Sequence, residues 1–267
     1  MKGLPDIYWT LGKTALAEQF QYRAAMVIWL IGRVVQPVIY LAVWVVVAQA
    51  QGGRIGSFGV GDFAAYYIVI MMVEHFTFTW NMFEMEFRVR TGEFSPLLLQ
   101  PLHPIHRDIA RNISYKFLTT AVMLPTAAML TLVYEPRLQI VPWSLLAFVG
   151  ALVLSFLMRF FIEWSLALAA FWTTRVDAFN QMYFLALLFL CGRMAPLELM
   201  PPWVQQLAAV LPFRWMVSFP VELFLGRLTP DEALTGFAAQ GLWLLLGWGL
   251  LGLVWGRGVK RYAAVGS

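Results

Sequence analysis

Four stretches of this chain carry no charged residue over their whole length: Val34–Gly53, Phe117–Tyr134, Leu138–Met158 and Ala233–Gly256. A helix needs about 20 apolar residues to cross the hydrocarbon core of a bilayer. Inside lipid the backbone has to satisfy its own polar groups, which leaves helices or closed barrels. The runs do not alternate polar and apolar residues as barrel strands do. Composition points the same way, since 60% of the residues are hydrophobic and 13% charged, against about a quarter charged in a soluble domain.

Two further runs are interrupted or short. Phe63–Phe83 is apolar apart from Glu74 and His75, and Ala178–Gly192 is bounded by Asp177 and Arg193. The expected fold is therefore an all-α integral membrane protein, one transmembrane domain over residues 1–267. Its six spans lie near 27–50, 61–83, 114–134, 142–172, 178–195 and 233–256. The fourth is too long for a perpendicular crossing and is expected to tilt or to extend past the bilayer. Residues 1–23 lack the short apolar core and small-residue cleavage site of a signal peptide. They read instead as an amphipathic helix on the membrane surface, with Trp9, Leu16 and Phe20 on the apolar side and Lys13 and Arg23 at the headgroups.

Six spans put both termini on one side, and the basic residues choose which. With the N-terminus inside, the cytoplasmic segments hold Lys2, Lys13, Arg23, Arg88, Arg90, Arg107, Arg111, Lys116, Arg175, Arg257, Lys260 and Arg261, twelve of the 19 Lys and Arg. The outer segments hold Arg54, Arg137, Arg193, Arg214 and Arg227. Lys and Arg bias toward the cytoplasm, so the net charge of +4 reads as membrane orientation, and no nucleic-acid partner is expected. Membrane lipid is.

Short motifs of soluble enzymes fail on this chain. Gly12-Lys13-Thr14 ends like a phosphate-binding loop, but Ile7 stands where the first glycine belongs and no strand precedes it. His103 and His106 have only Asp108 nearby as a further ligand, too few for a metal, and read as polar residues on a surface helix. Asn112-Ile-Ser114 matches a glycosylation sequon on the wrong side, and the single Cys191 can form no intrachain disulfide. No nucleophile and base stand at usable spacing, so no catalytic residue is assigned. Gly252 and Gly256 form a GxxxG pair in the last span, read as helix packing.

Arg33, Glu74, Arg159 and Glu163 are ionisable residues inside apolar spans, which are costly there and usually paired or functional. Arg33 is about 15 Å along a helix from Arg23, and Glu74 about 21 Å from Arg88. Similar depth on adjacent antiparallel spans predicts an Arg33–Glu74 pair. Arg159 and Glu163, four apart, share one helix face and lie toward the cytoplasmic end, within reach of headgroups. A substrate contact, or a proton relay through Glu74 and His75, is the functional alternative to a structural pair.

Residues 196–231 are broken by prolines into apolar pieces too short to cross. They fit an outer re-entrant helical hairpin packed against the bundle. Residues 84–113 form a basic cytoplasmic loop between spans two and three.

Within that loop, Arg90-Thr-Gly-Glu-Phe-Ser-Pro-Leu-Leu-Leu-Gln-Pro-Leu-His-Pro104 resembles the segment after the second span of ABC-2 type transporter permeases, in particular the small bacterial ones. Arg90, Gly92, Leu97, Leu98, Pro101, Leu102 and Pro104 carry the match; Gln100 stands where a basic residue is common. The order of parts is also similar: an amphipathic helix, six spans, a helix-bearing loop after span two, and a broken outer hairpin before span six.

The resemblance implies half of an ATP-driven exporter of the bacterial inner membrane, with both termini cytoplasmic. The loop would carry a coupling helix that docks on a separate ABC ATP-binding subunit, present in two copies. Gly92 and Pro96 would delimit its start, Leu97–Leu99 would form an apolar knob, Pro101 and Pro104 would turn the chain out, and Glu93, Phe94 and Arg107 flank it. A second permease subunit, identical or related, would complete the path. No cofactor is expected on this chain; ATP and Mg would bind the partner ATPase. The apolar spans favour an amphipathic or lipid-like substrate. The alternatives are a six-span enzyme acting on lipid and an envelope assembly or tethering protein.

Overall fold

The computed structural model describes residues 3–173 and 176–262. Lys2 and Arg175, counted above for orientation, lie outside the described residues, as does the side chain of Arg23. Almost everything described is helix. Helix α1 is Leu4–Gln21, and α2 is Arg23–Ala50. A two-residue-per-strand hairpin, β1 (Arg54–Ile55) and β2 (Phe58–Gly59), turns the chain into α3, Val60–Thr77. Helix α4 (Asn81–Arg90) follows a break, then the single turn α5 (Ser95–Leu98), then α6 (Pro104–Tyr134). Helix α7 is Pro142–Ala167, extended by a 3₁₀ turn over Leu168–Phe171, and α8 is Asp177–Leu190. After a short 3₁₀ turn come α9 (Pro202–Val210), α10 (Pro212–Met216) and α11 (Ser218–Phe224), and α12 (Pro230–Gly258) ends the bundle.

Five helical segments are long and apolar enough to cross a membrane: Ala24–Ala50, Val60–Arg90, Pro104–Tyr134, Pro142–Phe171 and Pro230–Gly258. The expected fifth span, 178–195, corresponds to α8, whose 14 residues reach about 21 Å, short of the ~30 Å core. The expected third span starts ten residues too late. Pro104 is tolerated in the first helical turn, where its missing N–H has no partner to lose, so α6 begins there and carries Arg107 and Arg111 out of the apolar region.

The centre of the bundle is α3 packed on α7. Helix α3 is apolar on every side, the pattern of a helix surrounded by protein, and buries Phe63, Ala64, Tyr66, Tyr67, Ile70 and Val73. Helices α2, α6 and α12 lie outside it, with most of their apolar side chains exposed. The three short helices of 196–231 press into the same core through Met216, Val217, Phe219 and Val221. Their freed backbone is satisfied by the bundle: Ser155 Oγ and Gln240 Nε2 donate to the Trp215 carbonyl at 3.2 and 2.9 Å, and the Ser144 hydroxyl donates to the Leu223 carbonyl.

On α12, a Cβ added at Gly252 or Gly256 would meet no other atom within 4 Å. The packing expected of that pair is therefore not made among the described residues. Gly236 provides the close approach instead: a Cβ there would fall 2.0 Å from the Phe219 ring, so α11 approaches α12 only because the residue is glycine.

Candidate functional site

Two polar assemblies mark the described residues, one around the break in the second long segment and one around the loop that follows it.

The helix stops at Thr77 and restarts at Asn81, with Phe78 in extended conformation. A break inside an apolar span leaves backbone groups that lipid cannot satisfy, and the protein supplies partners. Lys116 Nζ donates to the Phe78 carbonyl at 2.7 Å. The Thr79 hydroxyl donates to Glu163 Oε2. Arg159, wholly buried, donates from Nε to Glu163 Oε1 at 2.7 Å and from Nη1 to Glu74 Oε1 at 3.4 Å and Thr77 Oγ1 at 3.3 Å. Tyr183 on α8 adds a bond to Glu163 Oε1 at 3.2 Å.

Two expectations are corrected here. Glu74 pairs with Arg159, not with Arg33; the Arg33 guanidinium lies over the Phe78 ring, 3.3 Å from its centroid. Glu74 lies on α3 beside α7, within reach of Arg159, whereas equal depth says nothing about the side of the helix on which a residue stands. Arg159 and Glu163 do not reach toward headgroups, because both are fully buried between α3 and α7.

The second assembly holds the loop. Gly92 has φ +78, the left-handed region that favours glycine, and it reverses the chain after α4. Pro96 then sits in the first turn of α5. Phe94 is buried among Phe171, Trp255 and Tyr262 at centroid distances of 5.4, 6.3 and 5.7 Å. Ser95 Oγ and Tyr262 Oη are 2.9 Å apart. Behind the loop, Arg88 binds Asp108 at 2.7 Å and Glu84 at 2.9 Å, and Trp164 Nε1 donates to the other Asp108 oxygen at 2.9 Å. Thus α4, α6 and α7 are tied at one level.

The three loop leucines do not form one knob. Leu97 is buried, Leu98 half-buried and Leu99 87% exposed. Arg90, Glu93, Pro96, Gln100 and Pro101 are exposed beside it, while Leu102 is half-buried and Pro104 buried at the start of α6. Arg107 lies 3.8 Å from Glu18 of α1. Leu97 thus anchors the turn, and Leu99 presents it.

The two histidines have definite partners. His103 caps α6, its Nδ1 accepting from the Ile105 N–H at 3.2 Å, and its ring packs 4.2 Å from Trp255 and 5.7 Å from Trp164. Burial, reinforced by neighbouring His106, holds its pKa below the ordinary imidazole value. His106 Nδ1 pairs with the Tyr8 hydroxyl at 2.8 Å, and burial raises the Tyr8 phenol. Among the described residues no three His, Cys, Asp or Glu side chains gather so as to hold a metal.

Sequence reasoning missed Lys116, Thr79, Tyr183, Asp108 and Trp164 as members of these assemblies. Lys116 was visible only as one more cytoplasmic cation. The others are ordinary residues whose partners lie 20 to 84 positions away.

A bundle of long apolar helices, broken in one span and bearing a rigid exposed turn at the end of that span, is a multi-pass membrane protein. Residues 34–266 match the family described as ABC-2 family transporter protein. The chain belongs to that family and is a permease subunit of an ABC transporter, a membrane component that associates with an ABC ATP-binding subunit and is not itself an ATPase. No curated protein matches the chain.

Proposed function

We propose that this chain is the membrane half of an ATP-driven exporter in the bacterial inner membrane, with α5 as the helix that couples it to a separate ATPase. Two ATPase copies and a second permease subunit, identical or related, complete the assembly. ATP and Mg act on the partner. Closure of the two ATPase copies draws the coupling turns together, and the spans rearrange to release an amphipathic substrate outward.

The observation that carries this reading is the contrast between Leu99 and its neighbours. Leu99 is 87% exposed on a turn whose Phe94 and Leu97 are buried. An exposed leucine on flexible chain has little meaning, but one on a turn fastened to α12 and α7 is a contact point that can transmit force. Burial of one such side chain in a groove contributes about 1.5–3 kcal/mol.

Six crossings with both termini cytoplasmic belong to the same reading. Support comes from α8. Phe184 stacks on Phe83 at 5.4 Å, in the first turn of α4 after the break, and the Gly192 carbonyl accepts from Tyr66 Oη at 2.7 Å, near the start of α3. Helix α8 therefore runs antiparallel to the α3–α4 segment, and the turn after it adds the missing length.

The test is co-purification. The subunit and its ATPase, expressed together, are captured through a tag on the permease, wild type beside Leu99→Asp. A charge cannot be buried in an apolar groove without a heavy desolvation cost, so the variant is expected to insert normally and lose the ATPase. Retention at wild-type stoichiometry would overturn α5 as the docking element.

A further inference from the structure

A cavity of about 510 Å³ belongs to neither assembly. It lies in the elbow where α1 meets α2, closed on the other side by α4 and α6. Its wall mixes charge and rings. Among the described lining residues Glu18 and Glu84 contribute two carboxylates and Arg111 a guanidinium. Tyr22, Trp29, Trp80 and Tyr115 contribute four aromatic rings, and Trp29 meets Trp80 edge to face at 5.0 Å.

Two polar atoms of the wall lack a partner among the described residues. Gln19 is oriented by its own Nε2, which donates to the Arg111 carbonyl at 3.2 Å, yet its buried Oε1 is unbonded. The buried Tyr115 hydroxyl is likewise unbonded. Unsatisfied buried polar atoms are rare in folded proteins and call for an explanation. Gln19 Oε1 can only accept, so what it lacks is a donor. Of the two carboxylates, Glu84 is paired with Arg88 at 2.9 Å and Arg111 at 3.1 Å, whereas among the described residues Glu18 is held only loosely, by Arg107 at 3.8 Å and Arg111 at 3.9 Å.

Aromatic faces, carboxylates and a free acceptor around one cavity recognise a positively charged nitrogen. The rim adds a second requirement. Phe20, Ile28 and Trp29 are 60%, 68% and 58% exposed, an apolar flank that continues along α2. We infer that the α1–α2 elbow binds the ammonium head of an amphiphile, a protonated amine or a quaternary ammonium, whose hydrocarbon chain lies along the exposed side of α2. Arg33, 5.7 Å from the Trp80 centroid, is committed to the Phe78 ring at 3.3 Å. The ligand is either a membrane lipid with an amine head, whose phosphate would meet Arg111, or a free cationic amphiphile.

The experiment uses the full chain in phosphatidylglycerol nanodiscs, without an ATPase, so that its outcome does not depend on the exporter reading. Three probes are titrated and counted by native mass spectrometry: lyso-phosphatidylethanolamine, dodecyltrimethylammonium and dodecyl phosphate. Saturable binding of either ammonium probe, with none of dodecyl phosphate, supports the inference. Binding of the lyso-lipid alone identifies the membrane lipid as the source, and binding of dodecyltrimethylammonium alone the free amphiphile. Trp29→Ala and Glu18→Gln, both at partly exposed side chains, should each weaken binding roughly tenfold, the scale of one lost cation–π or charge contact. Trp203→Ala, 66% exposed on α9, should leave it unchanged. Dodecyl phosphate binding as well as the ammonium probes, no saturable binding by any probe, or full affinity in both elbow variants would each overturn it.

Discussion

Lys116 Nζ stands 2.7 Å from the carbonyl oxygen of Phe78, where the second long segment breaks. The Phe78 carbonyl has left the helical ladder, and the ammonium of α6 takes the place of the missing N–H. Lys116 also lies 4.6 Å from the Phe156 ring of α7, so the charge is bracketed by three helices.

Replacing Lys116 by Met keeps the length and removes the donor. A buried acceptor left unsatisfied costs about 1–3 kcal/mol, so the melting midpoint in detergent should fall, with Lys116→Arg intermediate. An unchanged midpoint would mean that the carbonyl finds another donor.

Arg159 is the shared partner of two carboxylates. Arg159→Met should cost about 3–5 kcal/mol, the scale of a broken buried pair. Arg159→Met with Glu163→Met should recover part of that loss, since one orphaned charge is gone. A double-mutant cycle should show strong coupling of Arg159 to Glu163 and Glu74. It should show less between Arg33 and Glu74, which line one pocket without forming an ion pair, and Arg33→Leu also removes a cation–π contact worth about 0.5–2 kcal/mol. Chemical or thermal melts of each variant measure these differences; coupling of Arg33 to Glu74 as large as that of Arg159 would contradict the observed pairing.

Phe94 and Leu99 should fail in different ways. Phe94→Ala empties a filled site among Phe171, Trp255 and Tyr262, at about 3–5 kcal/mol. In the assembled complex it should keep the ATPase but lower substrate-stimulated hydrolysis, because the turn no longer grips α12. Leu99→Asp should lose the ATPase altogether. Equal retention and equal activity in the two variants would show that grip and contact are not separate.

His103 makes stability depend on pH. Its Nδ1 accepts the cap bond of α6, which a second proton would abolish, and its pKa in the folded protein is below the ordinary value of 6.5. The folded state therefore binds this proton less readily than the unfolded state. The contribution is fully present above about pH 6.5 and is lost as pH falls from there through the folded pKa. His103→Asn keeps a cap acceptor and removes the titration. Melting series from pH 7.5 to 5.5 should show a steeper acid loss in wild type than in His103→Asn; parallel curves would remove His103 from the account.

Orientation is checked by labelling. With Cys191 replaced by Ala, a cysteine at exposed Ser57 should react with an impermeant maleimide in intact cells, and one at exposed Gln100 only after lysis. The reverse pattern would invert the proposed topology.

The parts of this fold that were readable from sequence are those set by local chemistry. Lipid demands long apolar runs, so the helices were legible from their composition. Gly92, Pro96 and Pro104 marked the loop because glycine and proline restrict backbone wherever they stand. The break at Phe78 has no such mark: neither Gly nor Pro lies between Phe63 and Phe83, and the helix parts there because Lys116, Thr79 and Glu163 can satisfy it. Depth along a straight helix named Arg33 as the partner of Glu74, and depth alone could not show which way Glu74 turns. Likewise Leu97, Leu98 and Leu99 look alike in a row, and only the burial of Phe94 beneath them decides which one faces out.

Hydrogen bonds fasten helix α1 to α6: Tyr8 to His106, the Gly12 carbonyl to Ser114, and Gln19 to the Arg111 carbonyl. The partners are 92 to 102 positions apart. A chain made from its N-terminus onward thus releases α1 from the ribosome long before the surface that receives it exists. Two long helices must be threaded into the bilayer while the first waits outside, and its seating records that α6 has arrived.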